Sequence, residues 1–322
     1  MTVLVTGAAG FVGSHVCQAL LARGDTVLGV DNLNAYYDVA LKRARLDTVC
    51  AGNRFTFVEA SIADREAMLA LADRHRDISG VIHLAAQAGV RYSLVDPYAY
   101  VTANVMGHLV MLEMARRLPA VGHFVYASSS SVYGGNTRTP FAVGDPVEQP
   151  RSLYAATKRA DELMSEAYTH LYGMRLSGLR FFTVYGPWSR PDMAPWIFCK
   201  AIFAGETIPI YNLGFARRDF SYIDDIVRGV LACYDQPSPA PGHRLYNLGA
   251  TRSEDLMRFV HVLERAVGRK ARIELKPAQP GDVKETHADI GLTSRELGWV
   301  PSTTIEEGVP RFVEWFRQYH GY

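Results

Sequence analysis

The chain has 322 residues, of which 48% are hydrophobic and 21% are charged. This length and composition are typical of one large globular domain or two closely packed ones, and they exclude a disordered chain, a collagen-like repeat and a coiled coil. Because 34 basic residues nearly balance 33 acidic ones, we expect no nucleic-acid partner, and any acidic ligand must meet local cations.

The spacing of cysteines and apolar residues indicates where the protein works. Its four cysteines form no C-x-x-C pair, which favours a reducing compartment over a disulfide framework or a thiolate zinc site. The ten histidines form no metal signature. No apolar run reaches the roughly 18 residues of a membrane span. We therefore predict a cytoplasmic protein that binds neither a metal nor a membrane.

The first half of the chain alternates short apolar strands with amphipathic helical stretches, the pattern of a parallel sheet covered by helices on both faces. The predicted strands are residues 3–6, 26–30, 55–59, 81–84, 124–127 and 176–181. This order predicts an α/β fold, with a Rossmann-like doubly wound parallel sheet in a domain of residues 1–181.

A smaller C-terminal α/β lobe is predicted for residues 182–322, with some segments returning to the first domain. After residue 182 the sequence changes to Pro- and Trp-rich loops. Strands are predicted near residues 208–211 and 273–275, and helices near residues 253–267 and 305–320. Thr304 and Glu307 have the spacing of a capping box at the start of the last helix.

A glycine-rich turn follows the first predicted strand and opens a helix. Its small residues allow backbone N–H groups to approach a pyrophosphate at the helix N-terminus. Asp31, at the end of the second strand, can accept hydrogen bonds from an adenosine ribose and repel a 2′-phosphate, and Asn32 supplies no compensating cation. The sequence therefore predicts NAD rather than NADP. The predicted contacts in the turn are Gly7, Gly10, Phe11, Val12 and Gly13.

Tyr154 and Lys158 stand four residues apart on one face of a helix that Ser152 can cap. An ammonium group nearby, with the positive nicotinamide of a bound cofactor, favours the phenolate that acts as a general base. Alone, this spacing also fits an amphipathic surface. Here it follows a strand ending in residues 128–131, four serines, and one of these hydroxyls can hydrogen-bond a substrate oxygen beside Tyr154.

Together, these motifs resemble the extended short-chain dehydrogenase/reductase superfamily, and within it the NAD-dependent epimerase/dehydratase family of nucleotide-sugar enzymes. Four further segments are similar to UDP-glucuronate 4-epimerases. They read Asp-Asn-Leu-Asn-Ala-Tyr-Tyr-Asp at 31–38, Ala-Ala-Gln-Ala-Gly-Val-Arg-Tyr-Ser at 85–93, Arg-Phe-Phe-Thr-Val-Tyr-Gly-Pro-Trp at 180–188 and Arg-Arg-Asp-Phe at 217–220. The similarity runs over residues 3–299.

The resemblance implies an isomerase that interconverts UDP-glucuronate and UDP-galacturonate. In the implied mechanism the phenolate of Tyr154 removes the 4-hydroxyl proton while the C4 hydride passes to tightly held NAD, and the transient 4-keto sugar takes the hydride back on its other face. Family dehydratases carry an Asp-Glu pair where Ser130 and Ser131 stand, and related decarboxylases carry Glu in place of Ser131. The resemblance therefore favours epimerisation, and it also implies a homodimer through helices near Tyr154.

The resemblance also implies roles for individual residues. The catalytic residues are Ser129, Tyr154 and Lys158. Cofactor contacts beyond the glycine turn are Asp31, Asn32, Ser61, Ile62, Leu84, Ala85, Ala86, Tyr154 and Lys158, with Ser61 standing where the family usually has Asp. The substrate contacts are Arg91 and Arg218 at the UDP pyrophosphate, Ser129, Ser130, Ser131, Tyr154, Thr183 and Arg190 around the sugar, and Asp282 at the uridine ribose.

Three alternatives remain open at this point. One is a 4-epimerase of neutral UDP-hexoses, which would not recognise a C6 carboxylate. A dehydrogenase with net redox turnover would accumulate reduced cofactor with product. A non-catalytic NAD-binding sensor would use the cofactor to control a partner and would not need Tyr154.

Overall fold

The computed structural model describes residues 1–49, 53–237, 240–278 and 283–322. The strands in chain order are β1 (Thr2–Thr6), β2 (Thr26–Asp31), β3 (Phe55–Glu59), β4 (Ile78–His83), β5 (Phe124–Ser129), β6 (Arg175–Phe181), β7 (Thr183–Tyr185), β8 (Thr207–Ile210), β9 (Arg217–Tyr222), β10 (Gly242–Leu248), β11 (Ser253–Asp255) and β12 (Arg272–Leu275).

The helices alternate with these strands through most of the chain. They are α1 (Phe11–Ala22), α2 (Val39–Val49), α3 (Arg65–Arg74), α4 (Pro97–Tyr100), α5 (Gly107–Ala115), α6 (Leu153–Tyr172), α7 (Ala194–Ala204), α8 (Ile223–Asp235), α9 (Leu256–Val267), α10 (Gly291–Leu297) and α11 (Ile305–His320). A π-helical turn, Val101–Met106, joins α4 to α5. In the described part of the chain, no helix is both long and apolar enough to cross a membrane.

The main sheet confirms the predicted Rossmann-like α/β fold. Within the described residues it has seven parallel strands in the order β10-β6-β5-β4-β1-β2-β3, and six of them are the strands predicted from the sequence. β1 pairs with β2 on one side and with β4 on the other. The strand order therefore reverses at β1, and the loops that leave β1 and β4 diverge to open a crevice at their carboxyl ends.

The strands are apolar throughout because both faces of the sheet are covered. In β1, Val3 and Val5 belong to one hydrophobic cluster and Leu4, between them, belongs to the other. This alternation follows from the two-residue period of a strand. Helix α1 contacts α2 and α8, and helix α5 contacts α3 and α6. The two helical layers hold the sheet rigid beneath the crevice.

The C-terminal half contributes two small sheets and one strand of the main sheet. β7, β9 and β11 form a three-stranded sheet, β8 pairs with β12, and β10 lies at the edge of the main sheet beside β6. The helix expected near residues 253–267 begins later, at Leu256, because Asp255 accepts a hydrogen bond from Met257 N at 2.8 Å and caps it there. The division into domains at residue 181 stays a prediction.

The last helix, α11, has the predicted bounds. Thr304 N donates to Glu307 Oε2 at 2.9 Å, which is half of the expected capping box. The apolar positions one turn apart, including Val309, Phe312 and Phe316, are fully buried. This helix packs on α9 and closes the core of the C-terminal half.

Candidate active site

A cleft of about 1100 Å³ lies at the carboxyl ends of the main-sheet strands. Every site residue predicted from the sequence lines it, apart from Asp282, which lies outside the described residues. The lining residues from the prediction are Gly7, Gly10, Phe11, Val12, Gly13, Asp31, Asn32, Ser61, Ile62, Leu84, Ala85, Ala86, Arg91, Ser129, Ser130, Ser131, Tyr154, Lys158, Thr183, Arg190 and Arg218. The structure thus brings them together, and their individual roles stay predictions.

The glycine turn needs its glycines for two measurable reasons. Gly7 has φ +72°, and a Cβ on it would lie 2.8 Å from Ala85 N at the end of β4. A Cβ on Gly13 would lie 1.9 Å from the carbonyl oxygen of Gly7. The turn therefore packs tightly against β4 and against the first turn of α1, and it leaves a cradle of backbone N–H groups at the helix N-terminus.

Asp31 is held beside the glycine turn at the end of β2. Its Oδ1 accepts a hydrogen bond from Leu33 N at 2.9 Å, and its Oδ2 accepts one from Ala9 N at 3.2 Å. These bonds aim the carboxylate along the mouth of the turn, where a ribose diol would meet it. Ser61, by contrast, already accepts a hydrogen bond from Ala63 N at 3.3 Å.

A lysine near Asp31 was missed at the sequence level. Lys42 lines the same part of the cleft, and its Nζ donates to the carbonyl and side-chain oxygens of Asn34, each at 2.8 Å. Burial lowers the pKa of Lys42, and the charge of Asp31 partly offsets this effect. Asn32 supplies no cation, as expected, but helix α2 brings the ammonium group of Lys42 close to Asp31. The two residues are 11 positions apart in the sequence, and no motif links residues at that separation.

The helix α6 places Tyr154 and Lys158 in the cleft. Ser152 Oγ accepts a hydrogen bond from Ala155 N at 3.1 Å, which confirms the predicted cap. The Lys158 ammonium is buried and donates to the carbonyl oxygen of Ala127 at 2.8 Å, at the end of β5. The ring of Tyr154 packs edge-on against Tyr100, with 6.0 Å between ring centroids. Both catalytic candidates are therefore anchored to rigid elements.

The serines after β5 form the next part of the wall. Ser129 ends the strand, and its Oγ accepts a hydrogen bond from Ser131 N at 3.2 Å and donates to Ser131 Oγ at 3.1 Å. Ser128, in contrast, is turned into the core and donates to Glu162 Oε1 at 2.7 Å. Thr183, the first residue of β7, also lines the cleft. A set of hydroxyl groups therefore lines the same cleft as Tyr154.

Arg190 has a partner that was not predicted. Its Nε and Nη2 donate to the two carboxylate oxygens of Asp192, at 3.0 and 2.5 Å, and Tyr36 OH donates to the same carboxylate at 3.0 Å. Burial alone would raise the pKa of Asp192, but Arg190 and Tyr36 hold it below its usual value. Burial and the charge of Asp192 raise the pKa of Tyr36 to about 12. Asp192 therefore fixes the orientation of the guanidinium from one edge.

Two further arginines line the part of the cleft formed by the C-terminal half. The guanidinium of Arg91 lies 5.0 Å from the ring centroid of Tyr211. Arg218 Nη1 donates to the carbonyl oxygens of Arg217 and Lys284, at 2.8 and 3.1 Å. The cations expected for an anionic ligand are thus present although the chain as a whole is nearly neutral.

Comparisons with known proteins agree with this geometry. Residues 3–249 match the NAD dependent epimerase/dehydratase family. UDP-glucuronate 4-epimerase 4 of Arabidopsis thaliana is 47% identical over 334 residues, which cover 99% of this chain and 76% of that protein.

Two solved structures are similar over almost the whole chain. The UDP-glucuronic acid 4-epimerase of Bacillus cereus, in complex with UDP-glucuronic acid and NAD, superposes with a TM-score of 0.92 at 33% identity and covers 99% of this chain and 100% of its own. The UDP-glucose 4-epimerase of Thermotoga maritima, with UDP-glucose, has a TM-score of 0.88 at 31% identity and the same coverage.

Proposed function

The chain belongs to the NAD dependent epimerase/dehydratase family, and on this premise we propose that it interconverts UDP-glucuronate and UDP-galacturonate by epimerisation at C4. The observation that carries the proposal is the meeting of two sets of residues in one cleft. Tyr154 and Lys158 form a general-base pair, and hydroxyl groups with Arg190 lie beside them where a sugar carboxylate would be held. Proteins named or solved as UDP-glucuronate 4-epimerases are among the relatives.

NAD fits the cleft as the cofactor. The cradle left by Gly7 and Gly13 would hold the pyrophosphate, and Asp31 would accept hydrogen bonds from the adenosine ribose. Bound NAD supplies a hydride acceptor and donor, so that the sugar carbon is oxidised and then reduced without net redox change. The Bacillus cereus relative was solved with NAD.

The residues of this chain move the proton and hold the sugar. Tyr154, as phenolate, accepts the proton of the 4-hydroxyl group while Ser129 hydrogen-bonds the same oxygen. Lys158, held by Ala127 O, keeps a positive charge next to the phenolate. After the 4-keto sugar has turned its other face towards the cofactor, Tyr154 returns the proton to O4. Ser130 and Ser131 cannot act as the acid and base that expulsion of a 6-substituent requires.

Analysis of the reaction products tests the proposal. Purified protein is incubated with UDP-glucuronate, without added cofactor, and the products are resolved by chromatography and NMR. We expect UDP-galacturonate, because the cofactor need not leave the cleft between turnovers. A UDP-pentose would show decarboxylation and a stable 4-keto sugar would show net oxidation, and either product would overturn the proposal.

Replacement of Arg190 by Ala tests which sugar the cleft prefers. Because a charge-assisted hydrogen bond is worth about 1.5–3 kcal/mol, we expect Arg190→Ala to lower kcat/KM for UDP-glucuronate by about 10- to 100-fold and to spare UDP-glucose. Steady-state kinetics with both substrates measures the split. If kcat/KM falls equally for the two substrates, or if UDP-glucose is the better substrate of the wild-type enzyme, the results favour a 4-epimerase of neutral sugars.

The single variant leaves the carboxylate of Asp192 without its cation, and this charge would repel a uronate. The double variant Arg190→Ala, Asp192→Asn removes that repulsion. If kcat/KM for UDP-glucuronate stays selectively lowered in the double variant, the missing cation is the cause. Recovery of wild-type kinetics would assign the effect to the unpaired carboxylate of Asp192.

We further propose that the protein is a homodimer that works in the cytoplasm. Large apolar side chains are exposed in the turn before α4, on α4 itself and on α6, the helix that carries Tyr154. They are Leu94 (74%), Val95 (75%), Tyr98 (82%) and Leu163 (55%). A surface of this kind is characteristic of a protein interface. Cys199 and Cys233 are buried thiols, which suits a reducing compartment.

A charge placed on this face tests the dimer. We expect the wild-type protein to be dimeric at micromolar concentration and Leu163→Glu to be monomeric, as measured by size-exclusion chromatography with light scattering. Leu275→Glu is the matched control, because Leu275 is equally exposed (54%) but lies on β12. A monomeric wild-type protein, or a Leu163→Glu variant that stays dimeric, would contradict the proposed interface.

A further inference from the structure

Three residues of α6 share one face of the helix, and two of them, Tyr154 and Lys158, line the cleft. Tyr154, Lys158 and Asp161 stand at positions i, i+4 and i+7, which lie above one another at 3.6 residues per turn. Lys158 and Asp161 are both buried, with side chains 4% and 1% exposed, and their charged groups are 3.1 Å apart. The mechanism described above uses the first two residues and leaves the third unexplained.

Asp161 is tied to Lys158 and, in the described part of the chain, to little else. Its Oδ2 accepts the hydrogen bond from Lys158 Nζ, while its Oδ1 is buried with no hydrogen-bond partner among the described residues. The neighbouring Glu162 differs, because both of its oxygens bind Arg180, at 2.8 and 2.9 Å. Glu162 therefore forms a balanced structural ion pair with Arg180. The charge of Asp161, in contrast, is directed at the Lys158 ammonium.

The pair is held at a cost to the fold. Burial raises the pKa of Asp161 to about 6, against the opposing effect of Lys158. Since this value lies above the pKa of an aspartate in the unfolded chain, about 4, the stability contributed by the protonated acid is lost as the pH rises from about 4 to about 6. A charge retained under these conditions suggests a use other than stability.

We propose that Asp161 is a positioning residue that fixes the Lys158 ammonium in place and sets the pH range in which Tyr154 acts as the base. Two acceptors, Ala127 O and Asp161 Oδ2, hold Nζ from the strand and from the helix. The negative charge of Asp161 stabilises the positive charge of the Lys158 ammonium and opposes a negative charge on the Tyr154 oxygen. The inference rests on the proposed function through the role of Tyr154.

The other titratable groups around the pair do not change charge in the working pH range. Burial lowers the pKa of His83 on β4 to about 3, with a contribution from Lys158, and it lowers the pKa of His108 on α5 well below its usual value. Burial raises the pKa of Tyr126 on β5 well above its usual value and lowers that of His243 on β10. These groups stay neutral, so a charge removed at Asp161 acts on Lys158 and Tyr154 without compensation.

The pH dependence of kcat in Asp161→Asn tests this role. Removal of a negative charge makes proton loss easier from both Tyr154 and Lys158, so both limbs of the profile should move to lower pH, by about one unit or more. Folding and bound NAD are checked by circular dichroism and absorbance. A profile that keeps the wild-type position, or moves to higher pH, overturns the proposal whatever happens to the rate.

Asp225→Asn is the matched control. Asp225 is as buried as Asp161 and also has a cation three residues away on its helix, Arg228. Unlike Lys158, Arg228 does not line the cleft, and Asp225 caps the loop at Ser302. We expect this variant to lose thermal stability and to keep the wild-type pH profile. A shift as large as that of Asp161→Asn would show that loss of a buried acid acts through general destabilisation, and would overturn the inference.

Asp161→Glu keeps the inference testable if the Asn variant does not fold. It retains the charge and displaces it by one methylene, so we expect a lower kcat at an unmoved pH profile; a moved profile overturns the proposal. All profiles use the UDP-sugar that the wild-type enzyme turns over. A wild-type enzyme inactive on UDP-glucuronate therefore counts against the proposed function, and an unmoved Asp161→Asn profile counts against Asp161 alone.

Discussion

Tyr154→Phe should lower turnover of UDP-glucuronate by at least about 10³-fold, because loss of the phenol oxygen removes the group proposed to accept and return the 4-hydroxyl proton. NAD binding should be unchanged, since the ring, its packing on Tyr100 and the glycine turn remain. Turnover is measured by product chromatography, and bound cofactor by absorbance of the purified protein.

Tyr168→Phe is the control on the same helix. Its hydroxyl donates to Glu113 at 2.7 Å and does not line the cleft, so we expect near wild-type turnover. A Tyr154→Phe enzyme that keeps more than about a tenth of wild-type activity would exclude Tyr154 as the base. An inactive wild-type protein that binds NAD normally would instead favour a sensor, for which Tyr154 is dispensable.

Gly13→Ala should abolish NAD binding and with it all turnover. The added Cβ would lie 1.9 Å from the carbonyl oxygen of Gly7, and because both atoms belong to the backbone framework of the turn, the turn itself must move. The cradle of N–H groups at the start of α1 would then no longer match a pyrophosphate. Absorbance of the purified protein, which reports the cofactor that it carries, measures the loss directly.

Gly144→Ala controls for the substitution itself, since a Cβ at Gly144 meets nothing within 4 Å. This variant should bind NAD as the wild-type protein does. If Gly13→Ala carries as much NAD as the wild-type protein, the glycine turn is not the pyrophosphate site, and the placement of the cofactor in the cleft is wrong.

The fold was predictable where local pattern and global topology agree. The six βαβ strands are short apolar runs at regular intervals, and their observed bounds match the predicted ones within three residues. β10 was not predicted, because Gly-His-Arg-Leu-Tyr-Asn-Leu has neither a continuous apolar run nor a clean alternation. It is a strand because β6 offers it an unpaired edge, and that is a tertiary effect.

The site was predictable where a residue type and its spacing carry the chemistry. Gly13, Asp31, Tyr154 and Lys158 belong to patterns that span one turn or one βαβ unit. Lys42 and Asp192 reach the cleft from loops and helices with no fixed spacing to those motifs, so only the folded chain brings them there. Asp161 was not predicted either, although its i+7 relation to Tyr154 within α6 is a spacing signal that could have identified it.

UDP-glucuronate that carries deuterium at C4 tests the central claim most directly. The claim is that one hydrogen leaves C4 and returns to its opposite face within the cleft, while Tyr154 carries only the hydroxyl proton. In ordinary water and without added cofactor, we expect UDP-galacturonate that retains the deuterium at C4, as read by mass spectrometry and NMR. Inversion accompanied by loss of the deuterium to solvent would contradict this mechanism.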